Sequence, residues 1–392
     1  MWAAESGRHS VPFLSNTISG QLTESRLSAQ NSRLSLKVSG EAGKNDITGY
    51  VETDFGGFLP TNAFVTSNSD TLRLRLRWID LRRNKWVFLA GESWSFLNPN
   101  RKGLSPMPSD IFFSQNMDTN YQVGLTWTRA PQFRLSYHPN EQWALGLTLE
   151  NPEQYIGGSV VLPQSLASAY SSQLNNGSLT TTPNLHPDIL PKIAFDQDIG
   201  GKHMHAELVG LVRSFKVFNP STDTSSTVTG GGGSLNVNLE MVKYLHVILN
   251  SFYSDGGGRY IFGLGPDLII RPDGTPSLVH SYSGIGGIEY QASPKTLISG
   301  YYRGAYFQHN FAFDPQSGTY VGYGFPGSSA NRNIQEATVG VTETLLKDRK
   351  YGTLQLISQY SHVTRSLWSA GQGQPQNGNT HLIYVDFRYI LP

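Results

Sequence analysis

The chain has 392 residues, no cysteine, a formal net charge of +1 and only 15% charged residues. The lack of cysteine excludes disulfides, thiolate metal sites and cysteine nucleophiles, and the near-neutral charge gives no support to nucleic-acid binding. No apolar run reaches the ~18 residues of a transmembrane helix, whereas the 41 Gly, 19 Tyr, 19 Phe and 7 Trp suit pleated strands with aromatic ends and polar loops.

The N-terminal segment, residues 1–30, begins with MWAAESGRHS, which lacks the apolar stretch of a signal peptide. An exported protein needs such a stretch, so we expect residue 1 to lie at or near the N-terminus of the mature protein. A first strand is predicted within residues 11–24.

From residue 31 onward, apolar and polar residues alternate with a period of two, which predicts strands rather than helices. In Arg33-Leu-Ser-Leu-Lys-Val-Ser39 the apolar residues take every second position. The pattern recurs to the end of the chain, where Ile383, Val385 and Phe387 alternate with polar residues. The predicted strands are 31–40, 46–56, 71–80, 84–94, 121–138, 142–150, 191–197, 203–215, 233–243, 244–254, 280–290, 297–307, 334–346, 351–363 and 381–390.

Long and short connections alternate between these fifteen segments, as in outer-membrane barrels with long outer loops and short periplasmic turns. The alternation requires 121–138 to be one strand that runs through Ala130-Pro131. Bacterial barrels have an even number of strands, so the extra strand within 11–24 brings the total to about 16. The long connections are 57–70, 95–120, 151–190, 216–232, 255–279, 308–333 and 364–380.

The predicted fold is therefore an all-β, transmembrane, antiparallel barrel that takes up residues 1–392 as one domain. Periodicity alone does not separate it from a soluble sandwich, in which the apolar face would point inward. Two features favour the barrel. The polar faces carry several charges in a row, which fits a wet lumen, and strands recur to the last residues, as closure requires.

The sharpest local signal is the series Arg73, Arg75 and Arg77, with about 6.5–7 Å between successive alternate positions. In lipid each arginine would cost ~2–4 kcal/mol at the midplane, so we expect all three to face the lumen. The candidate pore-lining and selectivity residues are Arg33, Lys37, Glu52, Asp54, Arg73, Arg75, Arg77 and Arg134.

Glu52 and Asp54 are expected in the lumen on the neighbouring strand. Acidic and basic walls facing each other would create a transverse field that orients charged solutes. The alternative is that these charges only hold each other and trapped water in place.

Residues 95–120 are the candidate constriction loop, because they would form the third outer loop and are rich in Pro, Ser and Asn. The loop either folds into the pore and narrows it or stays at the surface. Its charged candidates are Arg101, Lys102, Asp110 and Asp118.

No cofactor, metal site or enzymatic activity is predicted. His203, His205 and Glu207 share one strand face and could bind a metal, but a pore-wall or periplasmic-turn pair is the more common arrangement. No G-x-S-x-G nucleophile elbow is present and the ten histidines are scattered. A passive channel is the main interpretation. A structural or adhesive barrel with an occluded pore, a barrel hydrolase and a soluble all-β protein are the alternatives.

Six short stretches follow one another along the chain in an order that is typical of one family. They are Ser32-Arg-Leu-Ser-Leu-Lys37, Gly49-Tyr-Val-Glu-Thr-Asp-Phe55, Leu89-Ala-Gly-Glu-Ser-Trp-Ser-Phe96, Pro187-Asp-Ile-Leu-Pro-Lys-Ile-Ala-Phe195, Asp255-Gly-Gly-Gly-Arg-Tyr-Ile261 and Phe387-Arg-Tyr-Ile-Leu-Pro392. These stretches resemble the trimeric DcaP-like porins, including acidobacterial members, over roughly residues 30 to 392. The resemblance implies a 16-stranded homotrimer in the bacterial outer membrane, in contact with lipid and lipopolysaccharide, with a narrow, positively biased pore for small anionic solutes such as dicarboxylates.

Overall fold

The computed structural model describes residues 13–21, 23, 29–30, 32–57, 71–115, 123–176, 183–261 and 265–392. These residues form one antiparallel sheet of fifteen strands, each hydrogen-bonded to the strands before and after it in the chain. The sheet strands are β1 (Arg33–Ala42), β2 (Asn45–Asp54), β3 (Arg73–Arg83), β4 (Trp86–Trp94), β5 (Arg129–Tyr137), β6 (Trp143–Glu150), β7 (Asp188–Ile199), β8 (Lys202–Asn219), β9 (Thr224–Val242), β10 (Leu245–Asp255), β13 (His280–Gln291), β14 (Thr296–Phe307), β17 (Asn331–Asp348), β18 (Gly352–Leu367) and β19 (Asn377–Ile390).

Two short hairpins lie in the long connections. One pairs β11 (Leu268–Ile270) with β12 (Pro276–Leu278), and the other pairs β15 (Asn310–Asp314) with β16 (Thr319–Tyr323). The single α-helix of the described residues is the one-turn segment Ala167–Tyr170. No helix in the described part of the chain is long and apolar enough to cross a membrane.

Each of the fifteen strands predicted between residues 31 and 390 overlaps one strand of the sheet, which confirms the all-β antiparallel prediction. Two predicted boundaries are wrong. The strand expected at 233–243 begins at Thr224, and β8 continues to Asn219, so the long connection expected at 216–232 is reduced to residues 220–223. The strand expected at 121–138 begins only at Arg129, although it does run through Pro131 as expected. The preceding residues 123–128 instead pack inside the curved sheet, where Trp127 N donates a hydrogen bond to Tyr260 O.

The strand predicted within 11–24 is not found in the described residues 13–21 and 23. Residues 13–21 form turns that end in the 3-10 segment Ser19–Gln21. Positions 11, 12, 22 and 24 lie outside the described residues.

The two edge strands of the sheet, β1 and β19, run in the same direction. Neighbouring strands are antiparallel throughout, so the first and the fifteenth strand must share a direction. An antiparallel sheet cannot join two such edges directly, because one further strand of opposite direction is needed between them.

The sheet is strongly curved around the connection that links β4 and β5. Gly124 lies five residues before β5 and approaches β14, since a Cβ built on it would be 2.5 Å from Gly304 O. Five residues span at most ~17 Å, whereas seven strand spacings in a flat sheet would separate β5 from β14 by about 34 Å. We call the face that contacts residues 95–115 and 123–128 the inner face and the opposite one the outer face.

The outer face is apolar and exposed. Leu36 on β1 is 64% exposed and Ile383 on β19 is 79% exposed. Aromatic pairs lie on this face near the short turns, where Trp86 contacts Tyr137 with ring centroids 4.6 Å apart. The inner face instead carries most of the charged and amide side chains, many of them buried.

Candidate functional site

The candidate site is the space enclosed by the curved sheet, and residues 95–115 occupy a large part of it. This segment leaves β4 and crosses to strands far along the sheet. The backbone N–H of Asn100 donates to Glu207 Oε2 on β8 at 3.0 Å. The next residue, Arg101, donates two hydrogen bonds of 2.9 and 2.8 Å to Glu289 on β13. The loop therefore folds into the interior rather than over the surface.

A fully buried ion pair supports the middle of this loop. Lys192 Nζ on β7 lies 2.9 Å from Glu207 Oε1 on β8, and both side chains are 0% exposed. The ammonium group also donates to Phe96 O and Asn98 O of the loop, each at 3.1 Å. Buried charges need this kind of complete pairing, so the loop satisfies polar groups that the wall alone would leave unpaired.

A histidine extends the same ion pair along the inner face. His205 Nδ1 lies 2.8 Å from Asp196 Oδ1 on β7, and its Nε2 lies 3.1 Å from Glu207 Oε1. The loop contacts this row as well, because Gly103 N donates to Asp196 Oδ2 at 3.0 Å. Within the described ranges, no group of three or more His, Asp or Glu side chains is placed to hold a metal ion.

Arg101 connects the tip of the loop to the opposite wall. Its guanidinium also donates to Phe113 O at 3.0 Å, and Glu289 accepts a further hydrogen bond of 2.5 Å from the Tyr301 hydroxyl on β14. Burial disfavours the charged form of Arg101, but the hydrogen bonds and charge of Glu289 outweigh it and raise the pKa of Arg101. The arginine therefore stays cationic and bound.

The end of the loop is fixed to β14. Gln115 N donates to the Tyr301 hydroxyl at 3.1 Å, and Arg303 Nη1 donates to Ser114 Oγ at 2.9 Å. The other predicted charges of the loop are less constrained. Lys102 is exposed and Asp110 is half-buried, while Asp118 lies outside the described residues.

The three arginines of β3 do not share one face, contrary to the sequence prediction. A register shift separates the pair Glu52–Leu76 from the pair Thr53–Leu74, so the strand bulges at Arg75. Beyond the bulge, Arg77 pairs with Val51 and Glu92 on the outer face. The Arg77 side chain is 60% exposed and lies 3.5 Å from Glu92 Oε2.

The acids of β2 do not form a wall opposite these arginines. Arg73 donates to both oxygens of Asp54 at 2.9 and 2.6 Å. Arg75 donates to Glu52 Oε1 at 2.8 Å and to Asp54 Oδ2 at 2.6 Å. Because these strands are adjacent, the charges form direct ion pairs, which corrects the expectation of a transverse field between these particular groups.

The remaining predicted residues lie on the inner face. Arg33 and Lys37 on β1 are exposed and oppose Asp54 and Tyr50 in the register. Arg134 on β5 is buried. Its guanidinium donates to Trp94 O at 2.6 Å and lies 4.2 Å from the centre of the Phe96 ring, so it fixes the start of the loop rather than facing open space.

A second buried ion cluster involves residues that the sequence did not single out for function. Asp188 Oδ2 on β7 accepts from Arg213 Nε at 3.0 Å, from Arg259 Nη2 at 2.7 Å and from the Tyr260 hydroxyl at 2.8 Å. Arg213 Nη1 also lies 3.0 Å from Asp267 Oδ1. Two stretches of the family resemblance touch this cluster: Asp255 to Ile261 contributes Arg259 and Tyr260, and Pro187 to Phe195 contributes Asp188.

Apolar side chains of the long connections form a core inside the sheet. Phe96 and Leu104 of the first inward loop pack in the same cluster as Tyr260, Ile269 and Phe307. The interior is therefore partly filled by packed protein and not only by polar side chains.

The fold is similar to that of the outer-membrane channel DcaP of Acinetobacter baumannii. The match has a TM-score of 0.63 and 20% identity, and it covers 94% of this chain and 88% of that one. Two weaker matches are also porin-like structures. The anion-selective porin from Comamonas acidovorans matches with a TM-score of 0.47 and 11% identity, over 92% of this chain and 91% of that one. The trimer form of OmpT of Vibrio cholerae matches with a TM-score of 0.46 and 10% identity, over 90% of this chain and 91% of that one. No protein-family model and no curated protein matches the sequence. The inward loop, the apolar outer face and the sequential antiparallel strands thus belong to a chain that has the fold of the DcaP channel.

Proposed function

We propose that the chain is a porin of the bacterial outer membrane, through which small hydrophilic solutes, preferentially anions, diffuse passively. The observation that carries the proposal is the inverted distribution of side chains. Large apolar residues are exposed along the outer face, and charged residues lie on the inner face. In water such an exposed surface is unfavourable, whereas lipid on the outside and water on the inside satisfy both faces.

The proposal includes a closed barrel of 16 strands. The shared direction of β1 and β19 calls for one more strand between them. Asn16 Nδ2 donates to Gln374 Oε1 at 2.7 Å, so residue 16 lies at the end of the sheet where β19 begins. Phe55 N donates to Gln30 O near the start of β1, at that same end. A strand antiparallel to both edges must finish at this end.

The proposed anion preference rests on charges other than the arginine series of β3. Arg73 and Arg75 are neutralised by Asp54 and Glu52. Arg33 and Lys37 are exposed on the inner face, and neither forms an ion pair with another described residue. Exposed cations on a pore wall attract anions and repel cations.

Planar-bilayer recording tests this function. We expect stepwise, ohmic conductance from the purified protein and a reversal potential that favours anions in a salt gradient. Folded protein that inserts and conducts with cation preference would contradict the anion selectivity alone. Folded protein that inserts without conducting would contradict the channel itself.

A barrel with an occluded pore is the second candidate, favoured by the apolar core that the inward connections form inside the sheet. Deletion of residues 99–113 discriminates between the two. An occluded barrel would conduct only after the deletion, whereas a porin conducts before it and more strongly afterwards.

We also propose that the protein assembles as a homotrimer among membrane lipid and lipopolysaccharide. The exposed apolar outer faces of β1 and β19 are compatible with contact between copies. Sedimentation of the detergent-solubilised protein, corrected for bound detergent, tests the trimer.

A further inference from the structure

Five hydrogen-bonding groups on the inner wall are buried without a partner, and they belong to neighbouring side chains of β3, β4 and β5. Four of them are N–H groups and one is a hydroxyl. They are Arg75 Nη2, Arg129 Nη1, Trp78 Nε1, Trp94 Nε1 and Ser93 Oγ. Buried donors that lack an acceptor are rare in native proteins and call for an explanation, such as a bound ion.

The indole ring of Trp94 is the centre of this group. Arg129 Cζ lies 5.3 Å and Arg75 Cζ 5.8 Å from the centre of the ring. Trp78 packs in the same apolar cluster as Trp94, and Ser93 is the preceding residue. Two guanidinium groups therefore flank one aromatic side chain while each keeps an unused N–H.

The charges around the ring do not balance. Arg75 uses Nε and Nη1 to bind Glu52 and Asp54, and Arg73 binds Asp54 as well. Arg129 forms no ion pair with any described residue. Arg73 and Arg75 repel it, while Asp54 and Glu92 attract it. Glu92 is already engaged by Arg77, which lies 3.5 Å away. Three guanidinium groups thus share two carboxylates, which leaves one positive charge in excess.

We propose that this wall holds a small monoanionic group, bound between Arg75 Nη2 and Arg129 Nη1 beside the Trp94 ring. The group is either the carboxylate of a solute or a chloride ion. One negative charge balances the excess positive charge. An anion also accepts hydrogen bonds from the unused N–H groups and has no donor hydrogen of its own that would need an acceptor. We call this place the Trp94 anion site. It rests on the proposed function only for the route by which the anion arrives.

The test is fluorescence titration of the intact protein in detergent micelles, because Trp78 and Trp94 lie at the site. Sodium acetate and sodium chloride are titrated separately into the wild-type protein and into Arg129→Gln. The difference between the two proteins removes general salt effects. We expect a saturable change in the wild type and binding weaker by about tenfold or more in the variant, since a hydrogen bond to a charged group contributes at least this factor.

Two further variants make the result specific. Arg349→Gln removes an exposed arginine from the turn before β18 and should titrate like the wild type. Trp94→Phe keeps an aromatic ring but removes one orphan N–H, so it should weaken the binding of the anion to a smaller extent, read by calorimetry with the same salts. Folding of every variant is checked by its heat-dependent migration on gels.

Saturation by acetate alone identifies a carboxylate site, saturation by chloride alone identifies a halide site, and saturation by both identifies a general monoanion site. The absence of saturation with both salts, or equal saturation in Arg129→Gln, overturns the proposal and leaves buried water as the partner of these donors. A protein that binds but does not conduct would contradict the porin function and keep the site. A conducting protein without saturable binding would do the reverse.

Discussion

Arg101 and Glu289 form a doubly hydrogen-bonded ion pair, although 188 residues separate them along the chain. The pair joins the inward loop to β13, while the neighbouring Asn100 joins the same loop to Glu207 on β8. The position of the loop in the interior is thus set by contacts with strands distant from those that it connects.

Replacing Arg101 with Gln should release the tip of the loop and increase single-channel conductance. We expect loss of loop attachment on the order of 1–3 kcal/mol, because Glu289 is left with an unpaired charge. Glu289→Gln is the matched partner variant. If the pair acts as an anchor, both variants raise conductance, whereas opposite shifts of the reversal potential with constant conductance would show that only the charges matter.

Neutralising β1 should reduce the preference for anions. In the double variant Arg33→Gln and Lys37→Gln, two exposed inner-face cations are lost, so the reversal potential in a KCl gradient should move toward that of a non-selective pore. Arg77→Ser is the control, since Arg77 lies on the outer face. A shift in Arg77→Ser as large as that of the double variant would mean that the bulge in β3 does not turn this side chain outward.

Glu207→Gln should destabilise the folded protein by about 3–5 kcal/mol, because it leaves the buried ammonium of Lys192 without its carboxylate. Urea unfolding after refolding into lipid vesicles measures the change. The double variant Lys192→Met and Glu207→Leu removes both charges and should recover part of the lost stability. Additive losses in the double variant would contradict direct coupling between the two side chains.

An arginine placed on the outer face of β6 should interfere with membrane assembly. Leu147 is 46% exposed on that face, and Leu147→Arg should cost ~2–4 kcal/mol in lipid if it lies near the midplane. The measurement is urea unfolding in vesicles. Thr48→Arg, on the inner face opposite Asp80, is the control and should be nearly neutral. Equal stability of both variants would be incompatible with lipid contact at Leu147.

Most of the strand pattern was predictable because most strands separate an apolar face from a polar one. In β6, for example, Trp143, Leu145, Leu147 and Leu149 all lie on the outer face. The register of such strands is strongly constrained, since a slip of one residue would bring every polar side chain to the apolar side.

The orientation of Arg77 was not predictable in the same way. The alternation of Arg and Leu from Arg73 to Arg77 continues without interruption in the sequence, but the bulge at Arg75 inserts one residue into the strand and reverses its phase. Trp78 gives a partial signal, because it stacks on Tyr50 of the inner face with ring centroids 5.3 Å apart. The sequence alone does not show where a bulge lies, so it does not show that Trp78 rather than Arg77 points inward.

The buried ion cluster around Asp188 and the depth of the inward loop depend on contacts between distant segments. Arg213 and Arg259 bind the same carboxylate from a strand and from a connection. Such pairings have no local periodicity, so neither composition nor spacing indicates which arginine faces open water and which one is fully paired.

The loop between β4 and β5 acts mechanically as an internal tie. Consecutive residues of the loop bind β8 and β13, and its end binds β14, so walls that the sheet connects only through several intermediate strands are also joined directly. Flattening or widening of the sheet would have to break these bonds. The cross-section of the interior is therefore maintained from within.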